Sequence, residues 1–162
     1  MSKTINFYST TGLYGSFSNF SRHQIILDRK VYKTSEHYFQ AKKFEGTPHE
    51  EKVRVASGPG QAASMGRDRK LPLRRDWESV KENIMRRALY AKFTQHPDLK
   101  KLLLSTGDAK LVEHTERDSY WGDGGDGSGK NRLGYLLMEL REKLRMEDPE
   151  TDLFDGSFED LE

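Results

Sequence analysis

The chain opens with short apolar runs and closes with long amphipathic ones. Residues 4–9, TINFYS, alternate like a short strand, and QIILDRKVY sets apolar runs on either side of Asp28-Arg29-Lys30, the pattern of a hairpin. Between them, TTGLYGSFSNFSRH holds more aromatic rings than a solvated loop needs. TSEHYFQAKKF predicts a helix capped by Thr34, with Glu36 in the first turn, where the helix dipole favours a carboxylate. TPHEEKVRVASG predicts another, with Thr47 and Glu50 spaced as a capping box, Pro48 at the first helical position and a stop at Gly58-Pro59. A short helical piece, GQAASM, precedes the longest predicted helix, which starts at Asp76. That helix puts Val80, Ile84, Ala88 and Ala91 on one face, with Leu89 and Phe93 alongside. PDLKKLLL reads as a helix and KLVEHT as a strand. Asn131 is placed to cap a last helix, in which Leu133, Leu136, Leu137, Leu140 and Leu144 recur at three- and four-residue spacing. Strands first and then mostly helices, with no internal repeat, predict an α+β fold: a single compact domain, mostly helical, with a few short strands.

Composition changes this picture in two ways. Hydrophobic residues make up only 34% of the 162, so the expected core is lean. There is no cysteine, which removes disulfides and thiol catalysis and fits a reducing compartment. With no apolar leader and no run of transmembrane length, a cytoplasmic protein that does not enter a membrane is expected. The net charge of +1 conceals an asymmetry: residues 147–162 carry eight acidic side chains and no basic one. The remaining 18 acidic residues face all 27 basic ones, a net +9 over residues 1–146. A basic body favours phosphates or nucleic acid. The acidic tail is expected to be disordered, either keeping the chain soluble or docking a protein partner through Leu153, Phe154 and Phe158. The predicted organisation is therefore a domain over 1–146 and a tail over 147–162.

The most conspicuous stretch, YWGDGGDGSGKNRLG at residues 120–134, imitates three known loops. As a P-loop it lacks the hydroxyl for magnesium, since Asn131 follows Lys130, and its two aspartates would repel phosphates. As a dinucleotide fingerprint it is misplaced, because it opens the last helix rather than an early βαβ unit. As a calcium loop counted from Asp123 it presents Gly125 and Gly127 where oxygen ligands belong. What remains is a backbone that can approach a ligand closely, flanked by Tyr120, Trp121, Asp118 and Asp123 and ending at a helix N-terminus that favours anions. Rings, carboxylates and amides together suit a nucleotide or a sugar phosphate.

A second group lies on the first predicted helix. Glu36, Gln40 and Lys43 fall at i, i+4 and i+7, one polar stripe beside Tyr38 and Phe39; the alternative is a solvated face. Arg67, Arg69, Lys70, Arg74 and Arg75, just before Trp77, form a candidate phosphate clamp or an ordinary charged surface. The five histidines show no metal-ligand spacing, and no nucleophile elbow is present, so neither a metal nor another cofactor is expected.

INFYST…FSNF, TSEHYFQAKKF, MGRDRKLPLRRDW, VKENIMRRALYAKF and KLVEHTERDSYWGDGGDGSGKNRLGYLLMELRE, in that order over residues 4–145, together resemble the YbiA-like family, also called NADAR domains. The resemblance implies an N-glycosidase that needs no metal. It also implies two substrate classes: ribosylamino-pyrimidine phosphate intermediates of riboflavin biosynthesis, and ADP-ribose on the guanine amino group of nucleic acids. By resemblance and spacing, Glu36 is expected as the acid–base carboxylate and Lys43 as the amine that attacks or steadies C1′. Asp118 or Asp123 is expected to orient ribose hydroxyls, and Trp77 and Trp121 to stack on the base. Asn19 and Phe20 are expected to line the sugar, Gln40 and Gly122 to contact the substrate, and Arg67 with the loop amides through Asn131 to hold phosphate. The competing expectation is a module that binds ADP-ribose or a related nucleotide without turnover.

Overall fold

The computed structural model describes residues 3–147; the acidic tail expected over 147–162, with its expected disorder and docking role, lies outside the described residues except for Glu147. Four short strands and six helices follow the predicted order: β1 Thr4–Phe7, β2 Ile25–Leu27, β3 Lys30–Tyr32, α1 Ser35–Lys42, α2 Pro48–Arg54, α3 Pro59–Gly66, α4 Trp77–Gln95, α5 Pro97–Ser105, β4 Lys110–Glu113 and α6 Arg132–Glu147. The fold is α+β, its strands confined to two two-stranded sheets, β1 with β4 and β2 with β3. The described residues divide into two compact units, Phe7–Leu99 and a second that joins residues 3–6 to residues 100–147.

In the central unit β2 and β3 form the expected antiparallel hairpin, Ile25 opposite Tyr32 and Leu27 opposite Lys30. The two-residue turn places Asp28 and Arg29 at φ 52° and 64°, a left-handed conformation that Asp tolerates and Arg disfavours. Asp28 is anchored there by Arg87 at 2.9 Å and by Lys42 at 3.2 Å. Thr34 caps α1 as its position predicts, its hydroxyl accepting from the His37 amide at 3.1 Å. His37 then ties the start of α1 to the end of α2, with Nδ1 2.7 Å from Thr34 Oγ1 and Nε2 3.0 Å from the Ala56 carbonyl. Burial lowers the pKa of this imidazole.

Every residue of α1 is buried, the polar ones included. The helix is surrounded by α2, α3, α4 and β3, so no face of it is left for solvent. Phe17, from the aromatic-rich loop, explains why that loop holds so many rings: it is fully buried between Phe7 and Phe93, 5.7 and 5.8 Å away. On α4, Ile84, Ala88, Ala91, Leu89 and Phe93 are buried as predicted, joined by Met85 and Trp77; Val80 lies only half in.

Two local expectations are corrected. In α2 the Thr47 hydroxyl accepts from His49 N, and Glu50 reaches back to Gly46 N at 3.1 Å and to Lys42, so the box is displaced by one residue. The helix also ends at Arg54, short of Gly58. Lys42 is the hub here. Its buried ammonium lies 3.2 Å from Asp28, 3.5 Å from Glu45 and 3.0 Å from Glu50. Burial alone would depress its pKa, but the hydrogen bond to Glu50 and the neighbouring negative charges raise it. Lys42→Met, which leaves three carboxylates facing one another, is expected to lower the unfolding free energy by roughly 2 kcal/mol, the partly exposed carboxylates keeping the cost below that of a wholly buried pair. Urea denaturation checks this.

In the second unit α6 packs on β4, with Leu133, Leu136, Leu137, Leu140 and Leu144 all buried, as their spacing predicts. The approach is close at Gly134, where a Cβ would stand 2.1 Å from the Leu111 carbonyl oxygen. No helix among the described residues is long and apolar enough to cross a membrane.

Candidate active site

The stripe predicted on α1 becomes a bonded group inside the central unit. Gln40 Nε2 donates to Glu36 Oε2 at 2.7 Å, and both residues are buried. That bond fixes the carboxylate's rotamer, one turn apart along the helix. Gln40 Oε1 is buried with no hydrogen-bond partner among the described residues. It lies against Gly66, where an added Cβ would stand 1.8 Å from it. Any side chain at 66 would therefore push Gln40 away from Glu36.

Lys43 stands one residue beyond the last of α1, as its C-cap. Its ammonium donates to the Gly66 carbonyl at 3.2 Å and lies 5.8 Å from the Phe39 ring and 5.6 Å from the Trp77 ring, which meet edge to face at 5.0 Å. Burial is the largest influence on this amine and lowers its pKa; Glu36 raises it, while Arg67, Lys81 and Arg69 lower it further, and the net shift is downward. Glu36 and Lys43 thus act on one another electrostatically.

Asn19 belongs to the same group. Its carbonyl accepts from the Glu36 amide at 3.2 Å, its side-chain oxygen from Ser35 Oγ at 2.8 Å, and its amide contacts Met85 Sδ at 3.4 Å. Phe20 beside it is exposed. Arg67 and Arg69 are exposed, and their side chains make no hydrogen bond or ion pair among the described residues. Arg74 is different: it binds Glu45 at 2.8 Å and Asp76 at 2.6 Å. Its expected place in a phosphate clamp is corrected to a tie between α1's end and α4's start.

In the second unit the glycine-rich stretch closes on itself. Asp118 Oδ1 accepts from the Tyr120 and Trp121 amides at 2.9 and 2.8 Å. The Tyr120 and Trp121 rings meet edge to face at 4.9 Å. Asp123 Oδ1 accepts from Thr115 N and Gly125 N, and Oδ2 sits 2.8 Å from His114 Nδ1; that last bond chiefly holds the Asp123 carboxyl below its usual range. Gly122 is packed so tightly that a Cβ would meet the Asp118 and Glu113 carbonyls at 2.8 and 2.9 Å. The five amides from Gly129, Lys130, Asn131, Arg132 and Leu133 donate to the carbonyls of Asp123, Ser119, Gly122, Tyr120 and Trp121. Of the amides expected to hold phosphate, those of Gly129, Lys130 and Asn131 are thus engaged by carbonyls of the same stretch. Asn131, at φ 50°, likewise splices β4 rather than capping α6 by its side chain, which accepts from Glu113 N and donates to Leu111 O, both at 2.9 Å.

The structure thus brings Glu36, Gln40, Lys43, Asn19 and Trp77 together in one unit, with the charges of Arg67, Arg69 and Lys81 around the lysine. Asp118, Trp121, Gly122, Asp123 and Asn131 form an internally bonded cluster in the other unit. Sequence reasoning missed Gly66 and Ser35. Gly66 merely ends a short helix, and only its position against Gln40 and Lys43 gives it importance; Ser35 looks like any residue in a helix's first turn.

Comparison with known proteins places this geometry in context. The NADAR domain matches residues 6–145. The N-glycosidase YbiA of Escherichia coli is 64% identical over 143 residues, covering 88% of this chain and 89% of that protein. The chloroplastic riboflavin biosynthesis protein PYRR of Zea mays is 41% identical over 155 residues, covering 86% of this chain and 25% of that longer protein. The NMR structure of E. coli YbiA superposes with a TM-score of 0.86 at 62% identity, covering 93% of this chain and 90% of that one.

Proposed function

Because the chain belongs to the NADAR domain family, and is a hydrolase of N-glycosyl bonds, we propose that it cleaves the bond between ribose C1′ and the exocyclic amine of an electron-poor heterocycle. The substrate we favour is a ribosylamino-pyrimidine phosphate, in keeping with the name of the Zea mays relative. ADP-ribose on a guanine amino group shares the same reacting centre and is the second reading, favoured by the exposed Arg67 and Arg69 and by the net +9 of residues 1–146.

One observation carries the reading: a buried, oriented carboxylate on the fully buried α1 and a part-buried lysine of lowered pKa at that helix's C-cap occur together. Burying a carboxylate is costly, and a purely structural helix would do better with apolar residues at these positions. An N-glycosylamine opens to an imine at C1′. The neutral Lys43 amine adds to that carbon, and the heterocyclic amine leaves with a proton delivered by Glu36, so that the sugar is held as a lysine imine. Water, deprotonated by Glu36, then adds to C1′ and releases the sugar aldehyde and the free amine of Lys43. Gln40 keeps Glu36 in line throughout, and the Phe39 and Trp77 rings keep the amine poorly solvated. Asn19 lines the sugar and Arg67 attracts the phosphate.

Two tests follow. Mass spectrometry after parallel incubation with a ribosylamino-pyrimidine phosphate and with guanine-ADP-ribosylated DNA is expected to show free pyrimidine amine and ribose phosphate from the first; intact substrate in both would overturn the proposal. The pH dependence is set by Lys43. A lowered amine pKa means that the neutral form accumulates as pH rises through it, so kcat is expected to climb with pH and level off below 10.5, the ordinary lysine value. Arg67→Ala, which removes a positive charge acting on the amine, is expected to move that inflection to higher pH.

A further inference from the structure

A second lysine in the central unit is buried more deeply than Lys43, and the reaction proposed above gives it nothing to do. Lys92, on α4, is fully buried and lies among the largest enclosed side chains of the fold. Its ammonium has one oxygen partner, the Ser18 carbonyl at 2.9 Å, and lies 5.6 Å from the Phe93 ring. Among the described residues no carboxylate pairs with it. Burial pulls its pKa down to about 7, and His23, the titratable group whose charge couples to it, only opposes a second positive charge.

Stability does not explain such a residue. An apolar side chain of the same length would fill the space without desolvating an amine, and the Ser18 carbonyl already accepts from the Ser21 amide at 3.1 Å. What distinguishes the place is its neighbour. Ser18 adjoins Asn19, whose carbonyl accepts from the Glu36 amide and whose side chain accepts from Ser35 Oγ. Ser18 also accepts, through its hydroxyl, from the Phe20 amide at 3.1 Å. The Ser18 carbonyl therefore ties the loop that lines the site to α4 through Lys92, beside the contact of the Asn19 amide with Met85.

We infer that Lys92 is a positioning residue: by holding the Ser18 carbonyl it fixes the Asn19 peptide, and through that peptide the first turn of α1 that carries Glu36. Buried amine is retained at the expense of stability so that the carboxylate stays aimed at the reacting carbon. The inference rests on the roles proposed for Asn19 and Glu36.

The test compares native enzyme with Lys92→Met and Lys92→Cys. Because the chain has no cysteine of its own, Lys92→Cys carries a single thiol, which can be aminoethylated under denaturing conditions and refolded to restore an amine at nearly the original reach. Lys92→Met is expected to keep or raise the melting temperature, to lose roughly tenfold in kcat on the ribosylamino-pyrimidine phosphate with KM little changed, and to lose protection of the Glu36 amide against deuterium exchange by at least a similar factor. Aminoethylated Lys92→Cys is expected to recover both kcat and protection over its unmodified form. Unchanged kcat and unchanged Glu36 protection in Lys92→Met overturn the inference, as does failure of both variants to fold, which makes Lys92 a folding residue. Amide exchange is read without turnover, so it separates this inference from the proposed reaction: if Glu36→Gln retains the full rate, the reaction is wrong whatever Lys92 does.

Discussion

Lys43→Arg is expected to reduce turnover by roughly 10³ or more, the scale seen when a covalent catalyst is removed, while substrate binding survives. The substitution keeps a positive charge beside Phe39 and Trp77, so any role that needs only charge is preserved. What it removes is the neutral amine. A guanidinium does not give up its proton near neutral pH, and its planar fork does not add to an imine carbon. Lysine at this place is different, because burial and the charges of Arg67, Lys81 and Arg69 lower its pKa against the pull of Glu36. Single-turnover kinetics with excess enzyme check the loss, and a binding isotherm checks that affinity stays within a few-fold of native. Near-normal turnover in Lys43→Arg would rule out the imine and leave direct attack on C1′ by a water that Glu36 activates.

The second large effect belongs to Glu36. Glu36→Gln retains the shape of the side chain and one acceptor for Gln40, but not the ability to carry a proton, and is expected to lower kcat by roughly 10²–10⁴. KM should change little, since the groups proposed to hold the sugar and the phosphate, Asn19 and Arg67, are untouched. The charge effect on Lys43 provides an internal control. Glu36 is the group that raises the lysine's pKa, so in Glu36→Gln the residual rate should reach its plateau at a lower pH than in the native enzyme. An unshifted profile would mean that the ionisation being observed is not that of Lys43.

The sequence makes the scaffold legible where periodicity carries the information. The five leucines of α6 and the apolar face of α4 are buried because their three- and four-residue spacing matches the turn of a helix, and Thr34 caps α1 because its hydroxyl can reach the His37 amide. The importance of α1 is legible only in part. Glu36, Gln40 and Lys43 share a stripe by spacing alone, yet a helix this polar reads equally well as solvated; its complete burial comes from four neighbouring elements and not from its own pattern. The internal bonding of the glycine loop is not legible either. Its residues look made for a ligand, but Asp118, Asp123 and Asn131 answer backbone groups within the unit, partners that lie up to 20 residues away and leave no periodic mark. Arg74 is misread in the same way, its partner Glu45 standing 29 residues earlier. Gly66 and Lys92 act through a carbonyl, a missing Cβ or a buried amine, none of which has a sequence signature.

The central claim is that C1′ passes from the base to Lys43 before it reaches water. Sodium borohydride added during turnover of the ribosylamino-pyrimidine phosphate reduces such an imine to a stable secondary amine. Peptide mass spectrometry is predicted to find the mass of the reduced sugar phosphate on Lys43, absent from Lys43→Arg and from enzyme treated without substrate. Free ribose phosphate released at the native rate in the presence of borohydride, with Lys43 unmodified, would contradict the account.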